Sequence, residues 1–186
     1  MKSRLFLPLL CASLLPAVQA YATVLPETCG KDEIKFDVKV KAPAEGQPSP
    51  DIAPPAAGKA QIVFIETVER FGLFLTTPAV RFAVDGEWAG ATKGESHFAI
   101  DINPGVRNVC ANWQADGGDE SKKVGMETFT AEAGKVYYFQ IKIRVKQDSQ
   151  GWTKERTFDL TALSAEEGRY RAKASGLSVS KGKKTN

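Results

Sequence analysis

The chain has 186 residues, of which 42% are hydrophobic and 25% charged, and its formal net charge is +3. This length suits one domain that is large enough to bury a core. The near-neutral charge argues against nucleic acid as a partner, because nucleic-acid-binding domains carry a marked basic excess.

Residues 1–20 have the pattern of a secretory signal peptide. Lys2 and Arg4 precede an apolar run from Leu5 to Val18, and small or short residues follow at Val18-Gln19-Ala20. The apolar run is shorter than the roughly 20 residues that span a bilayer, so a cleaved signal is favoured over a retained anchor. We therefore expect a periplasmic or secreted protein without stable membrane insertion.

The cleavage site has two candidates. The mature chain is expected to begin at Tyr21, or at Thr23 if Ala20-Tyr21-Ala22 is the sequence that is cleaved. Lipid attachment at Cys11 is not expected, because Leu10 stands where a lipoprotein signal has a small residue.

Cys29 and Cys110 are the two cysteines that remain after removal of the signal. An even count in an exported chain predicts a disulfide between them. The alternative is a redox-active pair, but such pairs usually have a Cys-x-x-Cys spacing. A structural disulfide is therefore the favoured interpretation.

Taken in chain order, the first elements are a strand, a loop and a second strand. Apolar and charged residues alternate from Ile34 to Lys41, which predicts a strand with one charged face. Residues 42–58 contain five prolines and are predicted to be an exposed loop acting as a spacer, with proline-rich recognition as the alternative. The run KAQIVFIETVE from Lys59 predicts a central strand covered on both faces.

The middle of the chain predicts short strands joined by tight turns. The apolar residues at 71–75 are expected to form a short strand entering the core, or else an exposed loop that meets a partner. From Pro78 to Cys110, alternating runs are separated by turns at Asp85-Gly86 and Pro104-Gly105. Residues 116–120, DGGDE, are predicted to form a turn.

The last third predicts two strands, a helix and a basic tail. The run VYYFQIKIRV from Val136 is the longest alternating segment, and Thr157–Leu163 predicts another strand after a polar turn. Ser164 and Glu167 form a capping box for a short helix from Ala165, which Gly168 is expected to weaken. Residues 181–186 form a basic tail, interpreted as a frayed end, with contact to an anionic surface as the alternative.

The fold class that follows is all-β: an antiparallel β-sandwich with one short C-terminal helix. Its parts are an N-terminal strand segment (21–41), the proline-rich loop (42–58), the sandwich domain (59–180) and the basic tail (181–186).

The sequence offers no catalytic residues, metal ligands or cofactor motif. His97 is the only histidine and is expected to face solvent on a strand, opposite to Phe98. Asp116, Asp119 and Glu120 lack the spacing of an EF-hand, so a solvated turn is favoured over a calcium site.

Tryptophans supply the candidate binding residues. Trp88 lies between Gly86 and Gly90, and Trp152 follows a Gly turn, so both are expected to be partly exposed and able to stack against sugar rings. Trp113 is expected to pack near the Cys110 disulfide.

Several segments together resemble a bacterial family of exported proteins, domain of unknown function 2846. They are GKAQIVFIE at 58–66, the Val84-Asp85-Gly86 turn, the Pro104-Gly105 turn leading to CANWQ at 110–114, and AEAGKVYYFQIKI at 131–143. The hairpin portion also resembles the PEGA surface module. The resemblance implies a fold, and it brings no established activity and no catalytic residue.

The function expected from the sequence is that of an exported, non-catalytic envelope module that binds or scaffolds. Its partner is expected to be an envelope protein, a glycan or peptidoglycan. The alternative is a glycan-active hydrolase that uses dispersed carboxylates, which requires a cleft lined by at least two acidic groups.

Overall fold

The structure is a computed structural model. It describes residues 29–30, 34–71, 79–114, 123–147, 150 and 153–184. The predicted signal peptide, the segment 72–75 and the turn 116–120 lie outside these residues.

The described residues contain ten strands and one helix. They are β1 (Ile34–Lys41), β2 (Ala60–Phe71), β3 (Ala79–Val84), β4 (Glu87–Lys93), β5 (Ser96–Ile102), β6 (Gly105–Gln114), β7 (Val124–Ala131), β8 (Val136–Gln147), β9 (Thr153–Leu163), α1 (Ala165–Ala174) and β10 (Gly176–Lys184). The predicted all-β fold with one short C-terminal helix is confirmed.

The strands form two sheets. A six-stranded sheet has the order β1-β10-β5-β2-β8-β9, and a four-stranded sheet has the order β4-β3-β6-β7. The four-stranded sheet is antiparallel, whereas the six-stranded sheet is mixed, because β2 pairs with β8 and β5 with β10 in parallel. Between the parallel neighbours β2 and β8, the chain passes through strands of both sheets. The alternation of apolar and polar residues within one strand does not predict such a crossover.

The main core lies between the sheets. Phe64 of β2 stacks on Phe82 of β3 with ring centroids 4.5 Å apart, and Phe98 and Phe139 surround this pair. Alternate residues of each strand supply these side chains, as the period of two predicts.

The outer face of the six-stranded sheet has a second, smaller core. Val63, Ile65, Tyr138 and Ala172 are buried there, so β2 is covered on both faces as predicted. Helix α1 supplies this cover. Its N-cap Ser164 accepts a hydrogen bond from the Glu167 backbone N–H, which confirms the predicted helix start.

The prediction of a frayed basic tail is wrong for residues 181–184, which belong to β10. Strand β10 pairs in parallel with β5 only at Gly176 and Leu177, and it pairs with β1 along its whole length. The alternating stretch Leu177-Ser178-Val179-Ser180 is a strand signal that the following lysines obscured.

Candidate functional site: a cleft beneath the proline-rich loop

The proline-rich loop folds back over the outer face of the six-stranded sheet. The Ser49 backbone N–H donates to the Lys173 carbonyl at 2.8 Å, and the Gln61 Nε2 donates to the Ala53 carbonyl at 3.1 Å. Ile52 packs into the second core. Much of the loop is exposed, but its middle is a fixed cover, which differs from the predicted solvated spacer.

A cleft of about 330 Å³ remains between this loop and the sheet. Its volume lies at the lower end of the range for small-molecule sites. The side chains around it are mostly apolar, with a few polar groups among them. The lining residues are Pro50, Asp51, Ile52, Ala53, Gln61, His97, Ala99 and Leu177.

Gln61 lines this cleft and carries a buried hydrogen-bond acceptor. The residue is only 6% exposed, and its Nε2 donates to the Ala53 carbonyl and to Asp101 Oδ1. Its Oε1 is buried and has no hydrogen-bond partner among the described residues. A buried acceptor without a donor is costly.

His97 is buried, and the prediction that it faces solvent is wrong. Its side chain is 2% exposed, and its Nδ1 lies 2.9 Å from Ser175 Oγ. Alternation correctly places His97 opposite to Phe98. The face that it occupies is covered, however, by the proline-rich loop and by the end of α1, and neither cover is visible in the strand pattern.

The hydrogen bonds around Ser175 define the state of the histidine ring. Ser175 Oγ donates to the Ala172 carbonyl at 3.1 Å, so its single proton is used and it accepts from His97 Nδ1–H. Burial lowers the pKa of His97, and a smaller opposing effect comes from a hydrogen bond with the Gly176 backbone. The ring is therefore neutral near pH 7.

This arrangement does not activate Ser175 as a nucleophile. A catalytic serine gives its proton to the histidine, whereas here the proton is directed to a backbone carbonyl. Ser175 is also 4% exposed, and its own carbonyl accepts a hydrogen bond from Ser49 Oγ. The network joins the loop, the helix end and the sheet.

Asp51 is the one carboxylate that lines the cleft among the described residues. It forms an ion pair with Lys173 at 2.8 Å, and its side chain is exposed. Glu66 is fully buried, but it lies away from the cleft and accepts hydrogen bonds from Thr92 Oγ1 at 2.6 Å and the Gly94 N–H at 2.8 Å. The paired acids that glycoside hydrolysis requires are therefore not gathered there.

The predicted binding residue Trp88 lies on the outer face of the other sheet. It is half-buried against Cys29, Ala83 and Cys110, and the Arg81 guanidinium lies 4.7 Å from its ring centroid. A Cβ on Gly30 would come within 2.1 Å of the indole, so the backbone of Gly30 contacts the ring closely. These contacts occupy ring surface that sugar stacking would need.

Cys29 and Cys110 lie at disulfide-bonding distance, with their Cα atoms 5.5 Å apart. The bond joins the segment before β1 to β6. Trp88 packs against it, whereas Trp113 does not, and the prediction for Trp113 is wrong. Residues 110 and 113 are an odd number apart on one strand, so Trp113 points into the main core, where it stacks on Phe158 at 6.0 Å.

The second predicted binding residue, Trp152, lies outside the described residues. Within the described part of the chain, no three His, Cys, Asp or Glu side chains come together as metal ligands. The single helix of the same part is too short and too polar to cross a membrane.

In comparisons with known proteins, no family model, curated protein or solved structure matches this chain. The resemblance to domain of unknown function 2846 and to the PEGA module therefore stays a prediction.

Sequence reasoning missed Gln61, Ser49 and Ser175 as parts of a site. Gln61 did give a signal, because it is a polar residue inside the apolar run of a central strand. The two serines come from distant segments, and only the tertiary structure brings them to His97.

Proposed function

We propose that this chain is an exported, non-catalytic module that binds a component of the bacterial envelope through the cleft beneath the proline-rich loop. The observation that carries the proposal is a mostly apolar cleft lined by Gln61, whose buried Oε1 has no hydrogen-bond partner among the described residues. Such a lining suits a ligand with an apolar body and a hydrogen-bond donor.

The lining favours peptide groups over bare sugar. Among the described residues, no Phe, Tyr or Trp side chain lines the cleft, so sugar rings would find little stacking surface there. Peptide N–H groups can donate to Gln61 Oε1, and small side chains can pack against Ile52, Ala99 and Leu177. The peptide stems of peptidoglycan supply both features.

The binding test uses muropeptides, the soluble stem-bearing fragments of peptidoglycan, in isothermal titration calorimetry. Gln61→Leu should weaken binding about tenfold, because one hydrogen bond is lost. Thr161→Leu is the matched control, since it makes a similar polar-to-apolar exchange at an exposed position of β9 and should leave the affinity unchanged. Equal effects of the two variants, or no binding at all, would contradict the proposal.

The hydrolase alternative has less support, because one exposed, ion-paired carboxylate lines the cleft. It is tested by incubating the chain with the same fragments and with glycan strands. The appearance of new reducing ends that is lost in Asp51→Asn would overturn a non-catalytic role.

A further inference from the structure

The antiparallel pair β1–β10 presents a basic outer face. In the antiparallel register, Lys35 is opposite Lys183, Asp37 is opposite Lys181, Lys39 is opposite Val179 and Lys41 is opposite Leu177. Directly opposed residues of an antiparallel pair share a face, so five lysines and one aspartate lie together. We call this surface, with Leu177 and Val179, the lysine face.

The other side of this strand pair is the one that packs on the sandwich. Ser178 Oγ lies 3.2 Å from Ser96 Oγ, and Ser180 Oγ accepts from the Ala91 N–H at 3.0 Å. The lysine face therefore points away from the protein, and all five of its lysines are exposed.

Four of the five lysines of this face form no ion pair among the described residues. None of Lys39, Lys41, Lys181 and Lys183 has an ion pair there. An anionic partner would neutralise these four charges.

Two aliphatic side chains continue the same face. Leu177 is 38% exposed and Val179 is 49% exposed, and each lies opposite a lysine. Lysines beside exposed aliphatic groups suit the interface of a bilayer, where ammonium groups meet phosphates and apolar groups enter the headgroup region. A nucleic-acid surface would instead favour arginine and stacking aromatic residues, which this face lacks.

The end of the β1–β10 pair adds a concave region of about 380 Å³, which Lys35, Lys183 and Lys184 line together with Phe36 and Asp37. The Lys183 ammonium there provides charge-assisted donors for a phosphate group. We propose that the lysine face docks the protein on a bilayer surface rich in anionic phospholipids. Clusters of four to eight lysines are the usual basis of such binding.

The test is co-sedimentation with phosphatidylcholine vesicles that contain, or lack, one quarter phosphatidylglycerol. The variant Lys39→Gln/Lys181→Gln/Lys183→Gln is compared with Lys59→Gln/Lys93→Gln/Lys135→Gln, which removes the same charge elsewhere. Each lysine of the face should contribute about fivefold, so the first triple variant should lose on the order of 100-fold in partitioning. The second should lose no more than a few-fold.

Binding should require phosphatidylglycerol and fall as salt rises, because exposed charges are screened. Val179→Thr should weaken it further without a change in charge. Equal losses in the two triple variants, equal binding to both kinds of vesicle, or tighter binding to duplex DNA than to the anionic vesicles would overturn the proposal. Since any effect of the N-terminal apolar segment is the same in both variants, their difference reports the lysine face alone. The muropeptide titration is independent of this result.

Discussion

Gly168 of α1 lies directly against Tyr138 of β8. A Cβ built at Gly168 would come within 2.1 Å of Tyr138 Cγ. The glycine therefore permits the close contact between helix and sheet that covers one side of the second core. The sequence alone predicts only that Gly168 lowers the stability of the helix.

Gly168→Ala should lower the stability of the protein, although alanine favours helix by up to about 1 kcal/mol. The forced displacement of α1 should cost about 1–3 kcal/mol, measured by urea unfolding. In a Tyr138→Leu background, the added methyl group meets a smaller side chain, so the cost of the same substitution should shrink. An equal cost in both backgrounds would show that the Tyr138 contact is not the cause.

The burial of His97 predicts a pH-dependent stability. Its pKa is lowered in the folded protein, so the unfolded chain takes up the proton first as the pH falls. The contribution of His97 should be complete above its unfolded value of about 6.5 and should be lost as the pH falls from there to the lowered folded value.

Urea unfolding of the wild type and His97→Gln at several pH values isolates this effect, because the chain has one histidine. The difference in unfolding free energy between the two proteins should decline towards acidic pH. A difference that is constant between pH 5 and 8 would contradict the description of a buried, neutral imidazole.

The predicted disulfide should contribute strongly to stability. It closes a loop over a sequence separation of 81 residues. For such a loop the chain-entropy model assigns roughly 4 to 5 kcal/mol. Unfolding of the Cys29→Ser/Cys110→Ser variant should show a loss of this order, and thiol titration of the unfolded mature wild type should find no free thiol. Two free thiols would contradict the bond.

The hydrogen bond from Thr92 to the buried side chain of Glu66 should contribute to the stability of the protein. Thr92→Val keeps the shape of the side chain but removes a donor 2.6 Å from Glu66 Oε2. Because removing one partner of a buried hydrogen bond costs about 1–3 kcal/mol, chemical unfolding should show a loss in that range. Thr92→Ser retains the hydroxyl and should lose clearly less. If the two variants lose the same amount, the hydrogen bond is not responsible.

The strand pattern was predictable where alternate residues of a strand are buried. Alternation in β1 and β8, the apolar run of β2 and the capping box of α1 each specify a local structure. The Asp85-Gly86 turn is equally local, with φ of 51° and 81° at its two residues.

The candidate site was not predictable, because it depends on what covers a face rather than on the face itself. His97 is buried by a loop some 45 residues earlier in the chain and by a helix end nearly 80 residues later. The position of β10 beside β5 also depends on tertiary structure and not on a local pattern. As a result, lysines predicted to lie in a frayed tail belong to a strand, and Leu177 lines the cleft.

The most direct test of the central claim is an NMR titration of the ¹⁵N-labelled protein with muropeptides, compared with glycan strands from which the peptide stems have been removed. If the cleft binds peptide-bearing envelope material, stem-bearing fragments alone should shift the amide signals of Ala53, Gln61, His97 and Ala99, and the fragments should remain intact. Shifts confined to residues outside the cleft, or equal shifts with stem-free glycan, would contradict the account.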